Sequence, residues 1–418
     1  MKSALSVWWD RAVVGELRLD EHGDMSFAYG VDWLTDATSR AISVSMPKRE
    51  KPYGRRECRP FFGGLLPEGS VREIAAAALG ISKDNDFALL KALGGDVAGA
   101  LTLWPAGETP PEYDGTTATD PLGDNALIEL LDTLPKRPLL AGKDGLRLSL
   151  AGAQTKLPVV VVDGRIALPA RGQPTTHILK PPIMRFPATT ENEAFAMRLA
   201  AEMGLSVAPA EPRKVGDRSY LLVTRYDRLI DSRGRVRRLH QEDFCQALGI
   251  PSEHKYAGEG GPTFKKSFEL LRSAATRPAV EVLKLVDAAI FNLLIANADA
   301  HGKNFGLLHD PDETILAPLY DLMCTAAYPE LSAKPAMRIA DASSSDDFTP
   351  RTWQTFAEKT KTGLPLLRRR VKELSRMTAS LVEGVADAVA AAGFDADFLS
   401  RTAKTICERA DRIGGTVS

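Results

Sequence analysis

The chain has 418 residues, more than one hydrophobic core usually organises, so two or three packed units are expected. Its 53 basic and 54 acidic residues leave a formal net charge of -1, which gives no electrostatic reason to expect a nucleic-acid binder. The four cysteines contain no CxxC pair, so neither a zinc knuckle nor a disulfide framework is indicated. No apolar signal core or membrane-spanning run is present, and a cytoplasmic protein without contact to a membrane is expected.

The first hundred residues are predicted to begin as strands and to continue as helices. Alternating apolar residues predict strands at 5–9, 15–19 and 25–29. Helices are predicted over 70–79 and 84–93, since each run ends at a glycine, the usual residue after a helix.

The rest of the chain is divided by a segment rich in proline and small polar residues, which is predicted to be a linker. The predicted organisation is a β-rich first domain (1–104), this linker (105–121), a second β-rich domain (122–230) and a helical domain (231–418). Within these domains we predict strands at 147–150, 157–162, 165–168, 176–180 and 220–226, helices at 191–203, 280–296 and 364–392, and a hairpin of 305–308 with 315–319.

The most informative segment for function joins Asp299, Asn304 and, beyond the predicted hairpin, Asp321. Phosphoryl transfer needs a carboxylate near the acceptor hydroxyl and hard oxygen ligands for Mg²⁺, and kinases provide them as Asp, then Asn five positions later, then a further Asp. The alternative is a helix end turning into a loop, where Asp and Asn are common.

Three further features fit the binding of a nucleotide, and each has an ordinary structural alternative. The small residues of 149–156 could bring backbone amides close to phosphate, or they could simply form a turn. Lys180 ends a predicted strand and could contact phosphates, although most lysines at strand ends are solvated. Glu193 could orient such a lysine, or it could form a helix capping box with Thr190.

These pieces together resemble the HipA family of kinase toxins over most of the chain. The segments that carry the resemblance are FFGGLLPEG (61–69), SLAGAQTK (149–156), THILKPP (176–182), ENEAFAMRLAAEMGL (191–205), TRYDR (224–228), RLHQEDFCQALGIPSEHKY (238–256), a glycine run (258–262), NADAHGKNF (297–305) and PLYD (318–321).

The resemblance implies an α+β fold: a protein-kinase-like two-lobe fold with an extra N-terminal β-rich subdomain and an all-helical C-lobe. It implies that Asp299 is the catalytic base, that Asn304 and Asp321 hold Mg²⁺, and that Ser149 is the serine that family members autophosphorylate to switch the kinase off. The residues implied to bind ATP are the phosphate loop (Ala151, Gly152, Ala153, Gln154, Thr155 and Lys156), Lys180, the hinge (Thr224, Arg225 and Tyr226) and, in the catalytic loop, His301 and Lys303.

The sequence departs from the family pattern at two places. Thr224 stands where members often carry a glutamate, and the stretch 183–190 is short for an activation segment. The first departure affects little because hinge contacts are largely made by the backbone, whereas the second leaves substrate specificity open.

The function implied is an ATP- and Mg²⁺-dependent serine/threonine protein kinase that acts as the toxin of a toxin–antitoxin pair. Its implied partners are a helix-turn-helix antitoxin of the HipB kind, operator DNA bound through that antitoxin, and a protein substrate such as an aminoacyl-tRNA synthetase. Two alternatives stay open: a corepressor that grips DNA with the basic residues of 368–376, and a small-molecule kinase, since aminoglycoside and lipid kinases share the Asp-x4-Asn arrangement.

Overall fold

The computed structural model describes residues 3–113, 119–143, 145–232, 234–310, 312–344 and 347–417. The chain forms two compact units. The first unit comprises 1–181, 213–253 and 308–310, and the second unit comprises 182–212, 254–307 and 311–418. Part of the predicted linker, residues 114–118, lies outside the described residues.

The strands, in chain order, are β1 (Ala4–Trp9), β2 (Ala12–Leu19), β3 (Met25–Tyr29), β4 (Leu101–Pro105), β5 (Leu157–Val162), β6 (Arg165–Ala167), β7 (His177–Lys180), β8 (Ala210–Val215), β9 (Arg218–Thr224), β10 (Arg228–Ile230), β11 (Val236–Arg238), β12 (His240–Asp243), β13 (Gly306–His309) and β14 (Thr314–Leu316).

The α-helices are α1 (Val31–Thr35), α2 (Arg55–Gly64), α3 (Gly69–Leu79), α4 (Asp86–Leu93), α5 (Asp124–Thr133), α6 (Thr189–Glu202), α7 (Phe244–Ala247), α8 (Phe264–Ala274), α9 (Pro278–Leu294), α10 (Pro350–Thr360), α11 (Leu364–Ala391) and α12 (Ala396–Gly415). No helix in the described part of the chain is long and apolar enough to cross a bilayer.

The first unit is built around two sheets, each with its own core. One sheet has the strand order β3-β2-β1-β4, and its strands pair antiparallel. Its alternating apolar side chains face α2 and α4, and they bury Phe27, Phe61 and Phe62 completely. The other sheet has the order β6-β5-β7-β9-β8, and its core includes Leu157, Leu179 and leucines of α5.

The second unit is mainly helical. The helix α11 packs against α12, α6 and α9, and α8 packs against α9. The helix α9 is buried along most of its length because few of its residues are polar, so it lies inside this bundle. The chain leaves α9 directly into the segment that carries Asp299, and β13 and β14 follow as neighbouring strands.

Most predicted elements are confirmed, and the differences have local causes. The strands β3 and β5 have the predicted bounds, and α11 differs by one residue. Residues 147–150 are not a strand; they make one isolated bridge, Asp96 to Leu148. The predicted helical domain was expected to begin at residue 231, but β11 and β12 follow there and belong to the first unit. These strands span three and four residues, too few to show alternation in the sequence.

Candidate active site

The predicted catalytic loop of the second unit begins where α9 ends. The helix gives way to Ala296, whose φ of 56° lies in the left-handed region and turns the chain. The side chain of Asn297 then fixes the next residues, because its amide nitrogen donates to Asn292 Oδ1 (2.8 Å) and its oxygen accepts from the backbone N–H of Asp299 (3.1 Å). Asp299 therefore sits on a turn that the Asn297 side chain ties to the end of α9.

The carboxylate of Asp299 is exposed and oriented by one aromatic residue. The hydroxyl of Tyr256 donates to Asp299 Oδ1 at 2.9 Å. The Tyr256 ring lies edge-to-face with the His301 ring, with centroids 5.3 Å apart. The backbone N–H of Gly302 donates to the Lys255 carbonyl (3.1 Å), which ties the segment before Tyr256 to the loop. The arrangement leaves a carboxylate that is fixed in direction yet open to an incoming hydroxyl group.

Asn304 follows in a short 3-10 helix, Gly302–Asn304, and its side chain has a defined orientation. Its amide nitrogen donates to the Asp299 carbonyl at 3.1 Å. This contact assigns the nitrogen, so the oxygen is the atom that could ligate a cation. Tyr320 donates its hydroxyl to the Lys303 carbonyl (2.6 Å), which links the loop to the residue before Asp321.

Asp321 is held in a left-handed backbone conformation, with a φ of 52°. Non-glycine residues rarely adopt this conformation, and it is found mainly where the surroundings impose it, often at functional sites. The preceding segment is anchored, since the Leu319 N–H donates to the Ser206 carbonyl at 2.8 Å. An amide oxygen and a carboxylate are the hard ligands that Mg²⁺ takes together with phosphate oxygens, so Asn304 and Asp321 fit that ion.

The predicted phosphate loop lies in the first unit and is docked against the segment that follows α2. The Gly152 carbonyl accepts from the Glu68 N–H at 3.0 Å, and Gly152 forms a parallel bridge with Pro67. Gly152 has a φ of 113°, and a Cβ there would stand 2.7 Å from Lys156 Nζ. The positive φ favours glycine at this turn, which fits a loop that approaches phosphate closely with its backbone.

Ser149, the predicted phosphorylation site, is completely buried. Its hydroxyl donates to the Leu65 carbonyl at 2.7 Å, and its N–H donates to the Asp96 carbonyl at 3.0 Å. The serine therefore participates in docking the loop.

Lys180 and the predicted hinge end neighbouring strands of the first unit. The Lys180 side chain is only 4% exposed, which excludes the alternative that it is a solvated lysine at a strand end. Thr224 pairs with His177 across β9 and β7. The Arg225 side chain lies in a buried ion cluster with Asp227 (2.7 Å), so only its backbone could face a nucleotide.

Two further predicted residues have different surroundings from those expected. The capping box of Thr190 with Glu193 is wrong, because α6 starts at Thr189 after Ala188 and has no side-chain cap. Glu193 is buried inside the helix, and its catalytic role stays a prediction. In the basic stretch 368–376, Arg370 makes a bidentate contact with Asp287 (2.7 and 2.8 Å), which removes it from the surface charges that could meet DNA.

Three residues that the sequence alone does not single out also hold the predicted catalytic loop: Tyr256, Asn297 and Tyr320. All three belong to segments quoted for the family resemblance. Two of them could have been found from their position in the sequence, because Asn297 and Tyr320 precede predicted site residues by one or two positions. Tyr256 is distant in sequence from those residues and carries no local motif that would point to the site.

Comparisons with known proteins show which family the chain resembles along its length. The family model for the HipA N-terminal domain matches residues 5–104, and the model for the HipA-like C-terminal domain matches residues 148–391. Y4mE of Sinorhizobium fredii, provisionally named a kinase, is 56% identical over 411 residues, 98% of each chain. The serine/threonine-protein kinase toxin HipA of Shewanella oneidensis is 30% identical over 394 residues, 90% of this chain and 87% of that protein.

A solved structure shows the same fold. A chain from the complex of HipA, HipB and operator DNA of Shewanella oneidensis superposes with a TM-score of 0.84 and 27% identity, covering 99% of this chain and 98% of that one. The mixed helices and antiparallel sheets thus form the α+β, protein-kinase-like fold expected from the sequence. On these matches, over nearly its whole length, the chain belongs to the HipA family of kinases.

Proposed function

We propose that the chain is an ATP- and Mg²⁺-dependent serine/threonine protein kinase that autophosphorylates on Ser149 and acts as the toxin of a toxin–antitoxin pair. The observation that carries the proposal is the orientation of two side chains. The exposed Asp299 carboxylate accepts a hydrogen bond from the Tyr256 hydroxyl at 2.9 Å, and the Asn304 amide donates to the Asp299 carbonyl. Phosphoryl transfer requires a base near the acceptor hydroxyl and an oxygen ligand for Mg²⁺, and these two residues can supply them.

In the proposed reaction, the acceptor hydroxyl oxygen bonds to the γ-phosphorus of ATP while the bond to the β–γ bridging oxygen breaks and ADP leaves. Asp299 accepts the hydroxyl proton, and Tyr256 keeps its carboxylate pointed toward the acceptor. Mg²⁺, when bound through Asn304 and Asp321, neutralises charge on the phosphate oxygens. Lys180 and the backbone amides around Gly152 are the groups proposed to contact phosphates.

The proposed regulation follows from the environment of Ser149. The Ser149 hydroxyl acts as a hydrogen-bond donor to the Leu65 carbonyl. A phosphoserine carries a charge of about -1.5 to -2 at neutral pH and would place acceptor oxygens against that carbonyl. Phosphorylation would therefore expel the residue from its buried place and undock the loop from Pro67 and Glu68.

The proposed partners are a HipB-like antitoxin, operator DNA bound through it, and a protein substrate such as an aminoacyl-tRNA synthetase. The antitoxin and DNA are supported by the similar chain solved in a complex of HipA, HipB and operator DNA. The substrate rests on the family resemblance alone, and incubation of the active protein with synthetases and labelled ATP would test it.

The kinase proposal is tested with phosphatase-treated protein, Mg²⁺ and ATP, followed by mass spectrometry of Ser149. We expect phosphate on Ser149 in the parent and none in Asp299→Asn or Asp321→Asn. Asp312→Asn is the matched control, because it removes an exposed carboxylate near the same hairpin and should leave the reaction intact. Protein that binds ATP and yet phosphorylates neither itself nor any protein of a cell extract would overturn the proposal.

A corepressor role is the second candidate, favoured by the same similar complex with operator DNA. It does not require the reaction, so Asp299→Asn should still shift operator DNA in a mobility assay with the antitoxin. Phosphorylation of free sugars or aminoglycosides would instead favour a small-molecule kinase.

A further inference from the structure

The first unit contains a cavity that no predicted nucleotide-binding residue lines. Its volume is about 250 Å³, and its walls come from the end of the first sheet, the residues before Ser149, the turn after β6, and β11. The polar side chains among its described lining residues are Asp96, Trp104, Arg147, Arg171, Gln173 and Arg238.

The cavity has an excess of positive charge. Three guanidinium groups line it, and Asp96 is the acidic residue among the described lining residues. The carboxylate of Asp96 is already engaged, because it lies 2.9 Å from Arg228 and 3.5 Å from Arg225, while Arg238 reaches it at 3.4 Å. It therefore cannot balance the charges of Arg147 and Arg171 as well.

Arg147 has a donor group without a partner. Its NH2 group donates to the carbonyls of Lys91 (2.5 Å) and Leu103 (2.9 Å), and its guanidinium lies over the Trp104 ring, 4.3 Å from the centroid. Its NH1 atom is buried and has no hydrogen-bond partner within the described residues. Leaving a charged donor unpaired is costly, so this atom marks a place where an acceptor is missing.

The electrostatics of Arg147 point the same way. Burial is the main cause that brings the pKa of Arg147 down to about 10; Glu108 opposes this shift, and the positive charge of Arg171 adds to it. An anion between these arginines would relieve both the repulsion and the unpaired donor. Guanidinium groups match the geometry of phosphate oxygens and bind them by two hydrogen bonds at once.

We propose that this cavity binds a small phosphorylated metabolite, whose phosphate is held by Arg147 and Arg171. The size is adequate, since a cavity of about 150 Å³ already accepts benzene. Trp104, which is 7% exposed, offers an indole N–H that also lacks a hydrogen-bond partner among the described residues. The site is separate in composition from the residues proposed to bind ATP.

The test is isothermal titration of the full chain, without Mg²⁺ or ATP, using inorganic phosphate and ribose 5-phosphate as probes. We expect one saturable site, tighter for ribose 5-phosphate, and a loss of affinity of about tenfold in Arg171→Gln, from one charge-assisted hydrogen bond. Arg171 is exposed, so this variant should fold. Arg165→Gln, an exposed arginine of the neighbouring hairpin, is the matched control and should bind as the parent does.

Lys180→Met separates this site from the proposed nucleotide site. Unchanged binding of ribose 5-phosphate in Lys180→Met supports the cavity. The proposal would be overturned if neither probe bound saturably, or if binding survived in Arg171→Gln but was lost in Lys180→Met. Equal affinity for the two probes would also overturn it, because the cavity would then bind inorganic anions without recognising a metabolite.

Discussion

Asp96 and Arg228 form a buried ion pair, with 2.9 Å between Asp96 Oδ1 and the Arg228 NH2 atom. Asp96 comes from the N-terminal part of the first unit, just before β4, whereas Arg228 follows the predicted hinge. The backbone of Asp96 also bonds to Arg147 (2.8 Å) and Ser149 (3.0 Å), directly before the phosphate loop. One residue therefore connects the segment leading to the loop with the segment leaving the hinge.

Replacing Asp96 by Asn should destabilise the first unit by about 3–5 kcal/mol, because removal of one buried partner leaves buried arginine charge uncompensated. The measurement is the free energy of urea unfolding at neutral pH. Asp132→Asn is the control, since its pair with Arg218 is exposed on both sides and should cost about 1 kcal/mol or less. Equal losses in the two variants would contradict the assignment of Asp96 as a structural anchor.

The Asp96 contribution should also disappear in acid. Burial acts to raise the pKa of Asp96, but the charges of Arg228, Arg225 and Arg238 outweigh it and hold the pKa well below its usual range. A lowered folded pKa stabilises the protein fully above the unfolded value of about 3.9, and this stability is lost as the pH falls toward the folded value. The difference in unfolding free energy between the parent and Asp96→Asn should thus shrink below about pH 4.

This ion cluster shows where sequence reasoning reached its limit. The TRYDR segment carries the family resemblance, which implies that Arg225 binds nucleotide, but the Arg225 side chain is buried against Asp227. Nothing in the sequence pairs Arg228 with Asp96, because the two are 132 positions apart and carry no periodic pattern. By contrast, Asn304 lies five residues from Asp299, and their contact follows from a local turn that spacing can predict.

His240 should make the stability of the first unit depend on pH near neutrality. Burial, and then the neighbouring His309, lower the pKa of His240 to about 3. The neutral ring fits its contact with the Ile42 carbonyl, 2.7 Å from Nε2. Because the unfolded pKa is about 6.5, the unfolded chain binds a proton that the folded chain does not, and stability should fall by up to about 1.4 kcal/mol per pH unit below that value.

Unfolding measured between pH 7 and pH 4 tests this effect. His240→Gln should show a shallower loss of stability with falling pH than the parent. His22→Gln replaces an exposed histidine and should keep the parent's slope. Identical slopes in all three proteins would show that His240 is protonated in the folded state.

Gly152→Ala should raise the ATP concentration that gives the half-maximal rate of Ser149 phosphorylation. The new Cβ would approach Lys156 Nζ to 2.7 Å and displace the lysine from the loop. The positive φ of 113° adds backbone strain of about 1–3 kcal/mol.

Gly164→Ala separates these two effects. Gly164 also has a positive φ, 75°, but a Cβ there meets nothing within 4 Å. This variant should therefore lose stability without any change in the ATP dependence. If both variants changed the ATP dependence alike, strain elsewhere in the unit would explain the result, and Gly152 would have no special role in the loop.

Tyr256→Phe should slow phosphoryl transfer without weakening the binding of ATP. The change deletes the hydroxyl that donates to Asp299 Oδ1 at 2.9 Å and keeps the ring that packs edge-to-face on His301. A hydrogen bond to a charged group contributes about 1.5–3 kcal/mol, so the rate constant of Ser149 phosphorylation at saturating ATP should fall by about tenfold or more. The ATP concentration at half-maximal rate should stay the same, since Tyr256 is proposed to orient the base and not the nucleotide.

Tyr328→Phe is the matched control in the same unit. The Tyr328 hydroxyl accepts a hydrogen bond from the Asn192 amide at 3.1 Å, so its loss should lower stability and leave the rate constant unchanged. A parent-like rate constant in Tyr256→Phe, in a protein that Asp299→Asn inactivates, would show that the base needs no orienting partner.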